Sequence, residues 1–425
     1  MKNLKKEKIG VIGLGYVGLP LSVVFAEAGY SVLGFDIQKA VCDNINNGIS
    51  HIKDISSERL SKVSSINYLI ATTDFSKLSE CNAILICVPT PLNKIKDPDL
   101  SFVVSATEAI SEVLNSGQLI ILESTTYPGT TRELMLPILE KNGLKVGYDF
   151  NLCFSPERVD PGNEFWHTKN TPKVLGGITA SCKEKGRNLY SNVFDKVITV
   201  QNTEAAELVK VYENTFRMIN IALANEISQV CDKLGLDVWE VIEAAATKPF
   251  GFMKFFPGPG LGGHCIPLDP HYLSWKMRTL SFKTRMIELA SEINSEMPLY
   301  TVNKIGVALN SAGKAFKNAK ILLIGIAYKK DIDDLRESPA LDIIFLLQER
   351  GAIISYHDPY CPIIINDGHT KIKELPMYSS LFSTNLIEES DAVVIVTDHS
   401  NIDYNTISIN SKILIDTRGI MRKFK

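Results

Sequence analysis

The sequence has no CxxC pair and no block of like charge longer than the N-terminal KNLKKEK. Outside one stretch near its start, it has no apolar run approaching the ~20 residues of a membrane span. Each absence removes a class of protein. The eight cysteines (Cys42, Cys81, Cys87, Cys153, Cys182, Cys231, Cys265 and Cys361) stand at spacings that suit no zinc site. Reduced thiols in a cytosol, with no metal, are therefore expected. Lys plus Arg number 45 against 48 Asp plus Glu, a net charge of −3, which speaks against a nucleic-acid footprint. With 45% hydrophobic and 22% charged residues the chain is also far from the composition of a disordered one. The exceptional apolar stretch, Ile9 to Ala26, follows basic residues and ends Ala26-Glu27-Ala28, imitating a secretory leader. Four glycines inside it (Gly10, Gly13, Gly15 and Gly18) would weaken a signal helix, and they have a better use.

What is present is alternation. From Lys8 to about Val200, the runs KIGVIGLG, YSVLGFD, AILICVP, LIILEST and VITV are apolar throughout and separated by helical patterns. Such runs imply a parallel sheet covered on both faces, a doubly wound α/β domain. Between Thr203 and Gly235 the pattern becomes one long helix whose apolar positions Val209, Tyr212, Phe216, Ile219, Leu223, Ile227, Val230 and Leu234 step by three or four. At ~1.5 Å per residue it is about 45 Å long, enough to join two domains and still offer surface to a partner subunit. More helix is expected over Val238–Ala246 and Leu280–Asn310. At Ala319 the alternation restarts with AKILLIGIAY, AIISYHDP, DAVVIVTDH and KILIDTRG, with a helix Pro339–Arg350 after the first. The two ends echo each other: a strand ending in Gly, a helix, then a strand ending in Asp36 or Asp358. The expected fold class is α/β, with two Rossmann-like doubly wound domains around a helical middle. The boundaries are 1–200, 201–312 and 313–425.

Gly13-Leu14-Gly15-Tyr16-Val17-Gly18 follows a strand and opens a helix, the context that a dinucleotide fingerprint requires. Asp36 lies 18 residues past Gly18, where a carboxylate binds adenosine ribose hydroxyls and repels a 2′-phosphate, so NAD is expected over NADP. A second informative stretch, PGPGLGGHCIPLDP, surrounds Cys265 with four glycines and four prolines. Such a loop places a side chain beside a ligand. A lone cysteine is more often a small buried hydrophobe, and both readings stand on residue type alone. Lys210 and Asn214 lie one helical turn apart with Arg217 continuing the line. This is a solvated strip, or a pair of donors for a developing oxyanion if the helix lines a cleft. Polar residues ending strands, Glu123-Ser124-Thr125, Ser155-Pro156-Glu157-Arg158 and Tyr328-Lys329-Lys330-Asp331 with Arg336-Glu337-Ser338, stand where open α/β sheets bind ligands, and each taken singly reads equally as a cap or a surface salt bridge.

The motifs GLGYVGLP, CVPTP, ESTTYPGTT, FSPERVDPGN, KVYEN, GPGLGGHCIPLDP and AYKKDIDDLRES occur in this order along nearly the whole chain. Together they resemble the UDP-glucose/GDP-mannose 6-dehydrogenase family. Within it, FSPERVDPGN and KPFGF…PGPGLGGHCIP resemble the bacterial branch that oxidises UDP-N-acetylglucosamine, or its galactosamine epimer, for surface polysaccharides. The resemblance implies a four-electron oxidation of a sugar C6 alcohol with two NAD in succession. Cys265 would be the nucleophile, Lys210 and Asn214 the oxyanion holders, Asp269 and Thr125 the orienters of water, and Glu157 the acid–base residue of thioester hydrolysis. It further implies cofactor contacts from Gly13, Gly15, Tyr16, Val17, Gly18, Asp36, Pro89, Thr90, Thr125 and Arg336. Substrate contacts would come from Arg158, Lys210, Gly262 and Lys329. A cytoplasmic homodimer is implied, acting on a small-molecule UDP-sugar. Many relatives carry an arginine about sixteen residues before the cysteine, where this chain has Pro249; Lys254 or Arg278 could replace it. UDP-glucose or GDP-mannose as the sugar, and a binding protein that has lost catalysis, are the alternatives.

Overall fold

A computed structural model of the chain describes residues 7–91, 97–159, 163, 165–263, 266–366 and 370–424. The chain divides into two compact units, Met1–Glu213 with His271–Phe282, and Asn214–Pro270 with Lys283–Lys425.

The first unit is built on eight strands: β1 (Lys8–Ile12), β2 (Ser31–Phe35), β3 (Leu69–Thr72), β4 (Ala83–Ile86), β5 (Leu119–Leu122), β6 (Asn151–Phe154), β7 (Lys173–Gly177) and β8 (Val197–Thr199). Their order in the sheet is β3-β2-β1-β4-β5-β6-β7-β8. The first six are parallel in the doubly wound order, with the reversal of winding between β1 and β4. Side chains of β4 and β5 alternate between two cores. Leu85, Leu119 and Ile121 pack on one face with Phe25, Tyr190 and Phe194, while Ile84, Ile86, Ile120 and Leu122 pack on the other with Val103, Ile110 and Met135. Burial on both faces is why these strands are apolar at every position.

One expectation needs correction. The sheet is not parallel throughout, because β7 pairs antiparallel with β6 through Cys153↔Gly177 and Phe154↔Gly176, and β8 then runs parallel to β7. The short LIAT and KVLGG runs that form β3 and β7 carry no strong strand signal of their own. Burial gives β7 its place, since all five of its residues are buried.

In the second unit, β9 (Lys320–Ile324), β10 (Ile353–His357), β13 (Ala392–Ile395) and β14 (Leu414–Asp416) form a parallel sheet ordered β10-β9-β13-β14. The antiparallel pair β11 (Ile363–Ile364) and β12 (Met377–Tyr378) stands apart from it. All four expected strands are found. Helix Pro339–Glu349 covers one face, and helices Thr384–Glu389 and Tyr404–Asn410 supply Ile387, Tyr404 and Ile407 to the other.

The long helix runs Thr203–Leu234, as expected. Its buried positions, however, include Ala206, Glu207, Val211, Met218, Ala222 and Asn225, while Leu223, Val230 and Leu234 of the apolar stripe are 54%, 45% and 65% exposed. The helix expected from Leu280 begins instead at Arg285. A separate helix, Asp269–Thr279, precedes it, and Ser281 with φ 57° turns the chain between the two.

Candidate active site

In the first unit the expected cofactor residues gather beyond the carboxyl ends of β1, β2, β4 and β5. Gly13 has φ +87°, and a Cβ there would stand 2.8 Å from the Cys87 carbonyl oxygen. A Cβ on Gly18 would fall 1.8 Å from the Gly13 oxygen, so no other residue fits at the start of helix Gly18–Glu27. Gly15, by contrast, has nothing within 4 Å of its added Cβ. That open ground lies at a helix N-terminus, where free N–H groups and the helix dipole favour a pyrophosphate. Val17 is the N-cap residue and Tyr16 is exposed.

Asp36 ends β2 half-buried, its Oδ2 accepting the Leu14 N–H at 3.0 Å and its Oδ1 accepting the Gln38 N–H at 2.9 Å. Its counterpart in the second unit is used differently. Asp358 is buried, and its Oδ2 accepts from the Ile326 and Ala327 N–H groups at 2.6 and 3.1 Å and from His399 Nε2 at 3.0 Å. Burial pushes the Asp358 carboxyl up, but His399 and the Ile326 and Tyr360 N–H groups outweigh it and bring it down to about 2. Asp358 is thus spent inside the fold, whereas Asp36 keeps a face for ribose hydroxyls. The first unit fits NAD.

Thr90 and Thr125, beyond β4 and β5, are joined by a hydrogen bond from Thr90 Oγ1 to the Thr125 carbonyl at 2.7 Å, and Pro89 precedes them. The Tyr272 hydroxyl donates to the Thr90 carbonyl. Glu157, following β6, accepts from the Arg158 and Val159 N–H groups through Oε1 at 2.7 and 2.8 Å and from Lys173 through Oε2 at 3.0 Å. Burial would raise its carboxyl. Lys173, the Val159 N–H and Lys210 on the long helix together hold it below its ordinary value. Arg158 forks onto Glu213, with Nη2 2.5 Å from Oε1 and Nε 3.1 Å from Oε2, and its Nη1 donates to the Pro172 carbonyl at 2.8 Å. Arg278 pairs with Asp97 at 3.6 Å.

In the second unit, Asn214 Nδ2 donates to Asp269 Oδ2 at 2.5 Å, tying the long helix to the end of the glycine-rich loop; Asp269 is 4% exposed. The loop itself lies on the turn after β9. Gly263 N–H donates to the Arg336 carbonyl at 3.0 Å, and a Cβ on Gly262 would stand 2.5 Å from Tyr328 Cβ. Lys329, next to Tyr328, is half-buried, and Arg336 folds onto its own Asp334 at 2.6 Å. Asp331 and Glu337, with φ 61° and 51°, hold left-handed backbone in this same turn. Lys254 Nζ lies 5.8 Å from the Phe256 ring centre. Cys265 and His264 lie outside the described residues.

Two buried groups escape a reading by motif. Lys173 opens β7 between Glu123 and Glu157, and Asn225 holds the Gly258 N–H at 2.9 Å through Oδ1. A lysine heading a fully buried strand is the signal that could have found the first, since a buried ammonium demands partners. Nothing local marks the second.

A glycine turn fitted to a pyrophosphate, a half-buried carboxylate with a face left for ribose hydroxyls and a second Rossmann-like sheet with its corresponding aspartate sealed inward define a dehydrogenase that takes NAD on one half only. Comparison with known proteins specifies the class. The UDP-glucose/GDP-mannose dehydrogenase family matches as its NAD binding domain over residues 7–194, its central domain over 204–296 and its UDP binding domain over 322–423. The chain belongs to this family and is an NAD-dependent nucleotide-sugar dehydrogenase. It is 36% identical over 422 residues to the UDP-N-acetyl-D-mannosamine dehydrogenase of Pyrococcus horikoshii, covering 98% of this chain and 96% of that one. It is also 36% identical over 359 residues to a UDP-N-acetyl-D-glucosamine 6-dehydrogenase of Pseudomonas aeruginosa, covering 84% of each. The solved structure of the Pyrococcus horikoshii UDP-D-ManNAc dehydrogenase superposes with a TM-score of 0.87 at 36% identity, over 97% of this chain and 96% of that one. No helix among the described residues is long and apolar enough to cross a membrane.

Proposed function

We propose that this dehydrogenase oxidises the C6 alcohol of a UDP-N-acetylhexosamine, UDP-N-acetylglucosamine in the first reading, to the uronate. It would do so in the cytoplasm, for surface polysaccharide synthesis. NAD supplies the hydride acceptor, and two in succession account for the four electrons. The chain's own residues do the rest. Lys210 and Asn214 donate to the sugar oxygen as it gains charge, and the Cys265 thiolate adds to the aldehyde carbon so that the half-oxidised sugar stays bound. After the second oxidation the carbon is a thioester. Water, oriented by Asp269 and Thr125, adds to it while Glu157 takes the proton, the C–S bond breaks, and the Cys265 sulfur recovers the proton from Glu157. Arg158, Gly262 and Lys329 hold the nucleotide sugar, and Arg336 reaches the dinucleotide.

The hydrogen bond between Asn214 and Asp269 carries this reading, because it joins the oxyanion pair's helix to the residue four positions past Cys265. The expected result is two NADH per sugar and a carboxylate product. Cys265→Ser should lose net turnover by about a thousandfold or more while still binding NAD. One NADH per sugar with free aldehyde released would overturn the reading. A second sugar, UDP-N-acetylmannosamine, is favoured by the fuller coverage of the relative named for it. Competition among the UDP-N-acetylhexosamines, UDP-glucose and GDP-mannose decides, and a preference above roughly tenfold for either of the last two would remove the N-acetyl group from the assignment.

The proposed oligomer is a homodimer. The open stripe Leu223, Val230 and Leu234, on a helix whose opposite side is buried, supports a second copy as its cover.

A further inference from the structure

The interior of the first unit holds a charged cluster that this reading uses only in part. Lys173 Nζ stands 2.7 Å from Glu123 Oε2 at the end of β5 and 3.0 Å from Glu157 Oε2; the side chains of Lys173 and Glu123 are 3% and 0% exposed. The Tyr190 hydroxyl, from helix Ala180–Ser191, donates to the other Glu123 oxygen, and the Phe194 ring centre lies 5.5 Å from the ammonium. Taking three charges out of water is costly unless each is paired. One carboxylate would neutralise the lysine. Two are present, so the cluster carries an extra negative charge in a dry place.

The geometry around Glu157 gives that arrangement a use. An ionised carboxylate offers about four lone-pair sites. Arg158 N–H and Val159 N–H take the two on Oε1, and Lys173 takes one on Oε2, so that among the described residues a single site is left on the oxygen beside the ammonium.

We propose that Lys173 is a positioning residue for Glu157: it fixes the carboxylate with one lone pair open to the proton of the hydrolytic water, while Glu123 braces the ammonium from the far side. This rests on the role of Glu157 proposed above. In the step concerned, the water oxygen bonds to the thioester carbon, one water proton passes to Glu157, the C–S bond breaks with its electron pair going to sulfur, and that sulfur takes the proton back. No oxidant or reductant enters.

Among the described residues, the charged and titratable groups around Glu157 are Lys173 on β7, Glu123 ending β5, Tyr190 on its helix, the buried Cys87 thiol after β4, Lys210 on the long helix, and Arg158, already forked onto Glu213. Burial pushes both carboxyls up. The ammonium prevails at Glu157, held below its ordinary value, while Glu123 stays above its own. Removing the cation leaves burial unopposed at Glu157. Removing the Glu123 charge gives Glu157 the ammonium undivided and ends a like-charge repulsion.

The test follows kcat against pH in the full-length enzyme, with intact-mass detection of sugar acyl-linked to the chain. Lys173→Met should move the acid limb up by about one pH unit or more and accumulate the acyl-enzyme, with little change in KM for the sugar. Glu123→Gln should move the limb down, and Lys173→Arg should restore the wild-type profile. If circular dichroism shows that Lys173→Met does not fold, the pair Lys173→Met with Glu123→Gln, which removes opposite charges together, takes its place and should still shift the limb upward. An unmoved limb in the folded variant, or shifts of the same sign for Lys173→Met and Glu123→Gln, overturns the proposal while leaving two NADH per sugar in the wild type untouched. A wild type that makes fewer than two NADH per sugar removes the function and this proposal together.

Discussion

Glu207 shows how much a single buried group can decide. It is 0% exposed on the long helix and accepts the Gly129 N–H at 2.5 Å and the Thr131 N–H and hydroxyl at 2.8 and 2.7 Å. It thereby fastens the loop that follows Thr125. Burial raises its carboxyl to about 7 against the opposing pull of those donors. A carboxyl raised on folding contributes stability fully below its ordinary 4.5, and that contribution is lost as pH rises through about 7. Thermal unfolding from pH 5 to 8 should therefore carry a downward slope from this group. Glu207→Gln, with no proton to lose, should flatten the slope. It should also lower stability by about 1–3 kcal/mol, because its amide NH2 would face a backbone donor. An equal slope in the variant would show that the proton is held elsewhere.

Between elements, side-chain amides do work that no periodicity records. Asn225 on the long helix donates to Asn294 Oδ1 at 2.9 Å, Asn294 donates to the Met218 carbonyl at 3.2 Å, and Asn225 Oδ1 takes the Gly258 N–H. Both asparagines are buried. The chain anchors its glycine-rich loop to two helices through one amide pair in which every side-chain nitrogen and oxygen has a partner, and removing one member leaves another's buried polar group without its bond. Asn225→Leu fills similar space but orphans the Gly258 donor, at a cost of about 1–3 kcal/mol. Faster amide exchange across residues 256–263, with the sheets unchanged, is the expected signature. Uniform loss of protection over the whole second unit would instead mean that the pair holds the unit rather than the loop.

For the molecule as a whole, the two sheets repeat one plan with different endings. Gly13 N–H donates to the Phe35 carbonyl at 2.8 Å and Gly325 N–H to the His357 carbonyl at 2.9 Å, so each unit turns its first strand over the end of its second in the same way. The proposed homodimer belongs at this level. Leu223→Glu with Val230→Glu places two charges on the open stripe, and light scattering should then show a monomer where the wild type is dimeric. A variant as dimeric as the wild type would move the interface off this helix.

The strands of both sheets apart from β3 and β7, the glycine turn, Asp36 and the span of the long helix were legible in the sequence. Each depends on local constraints: a run apolar at every position, a turn too tight for a Cβ, a helical period. The direction of β7, the ammonium of Lys173 between two carboxylates, the amide pair under the loop and the outward set of the long helix were decided only by tertiary structure. Each depends on partners distant in the chain, as far as 76 residues for Asn294 and Met218. A residue's own neighbours in the chain set its backbone, whereas the charge it meets in the interior comes from segments that only folding brings beside it.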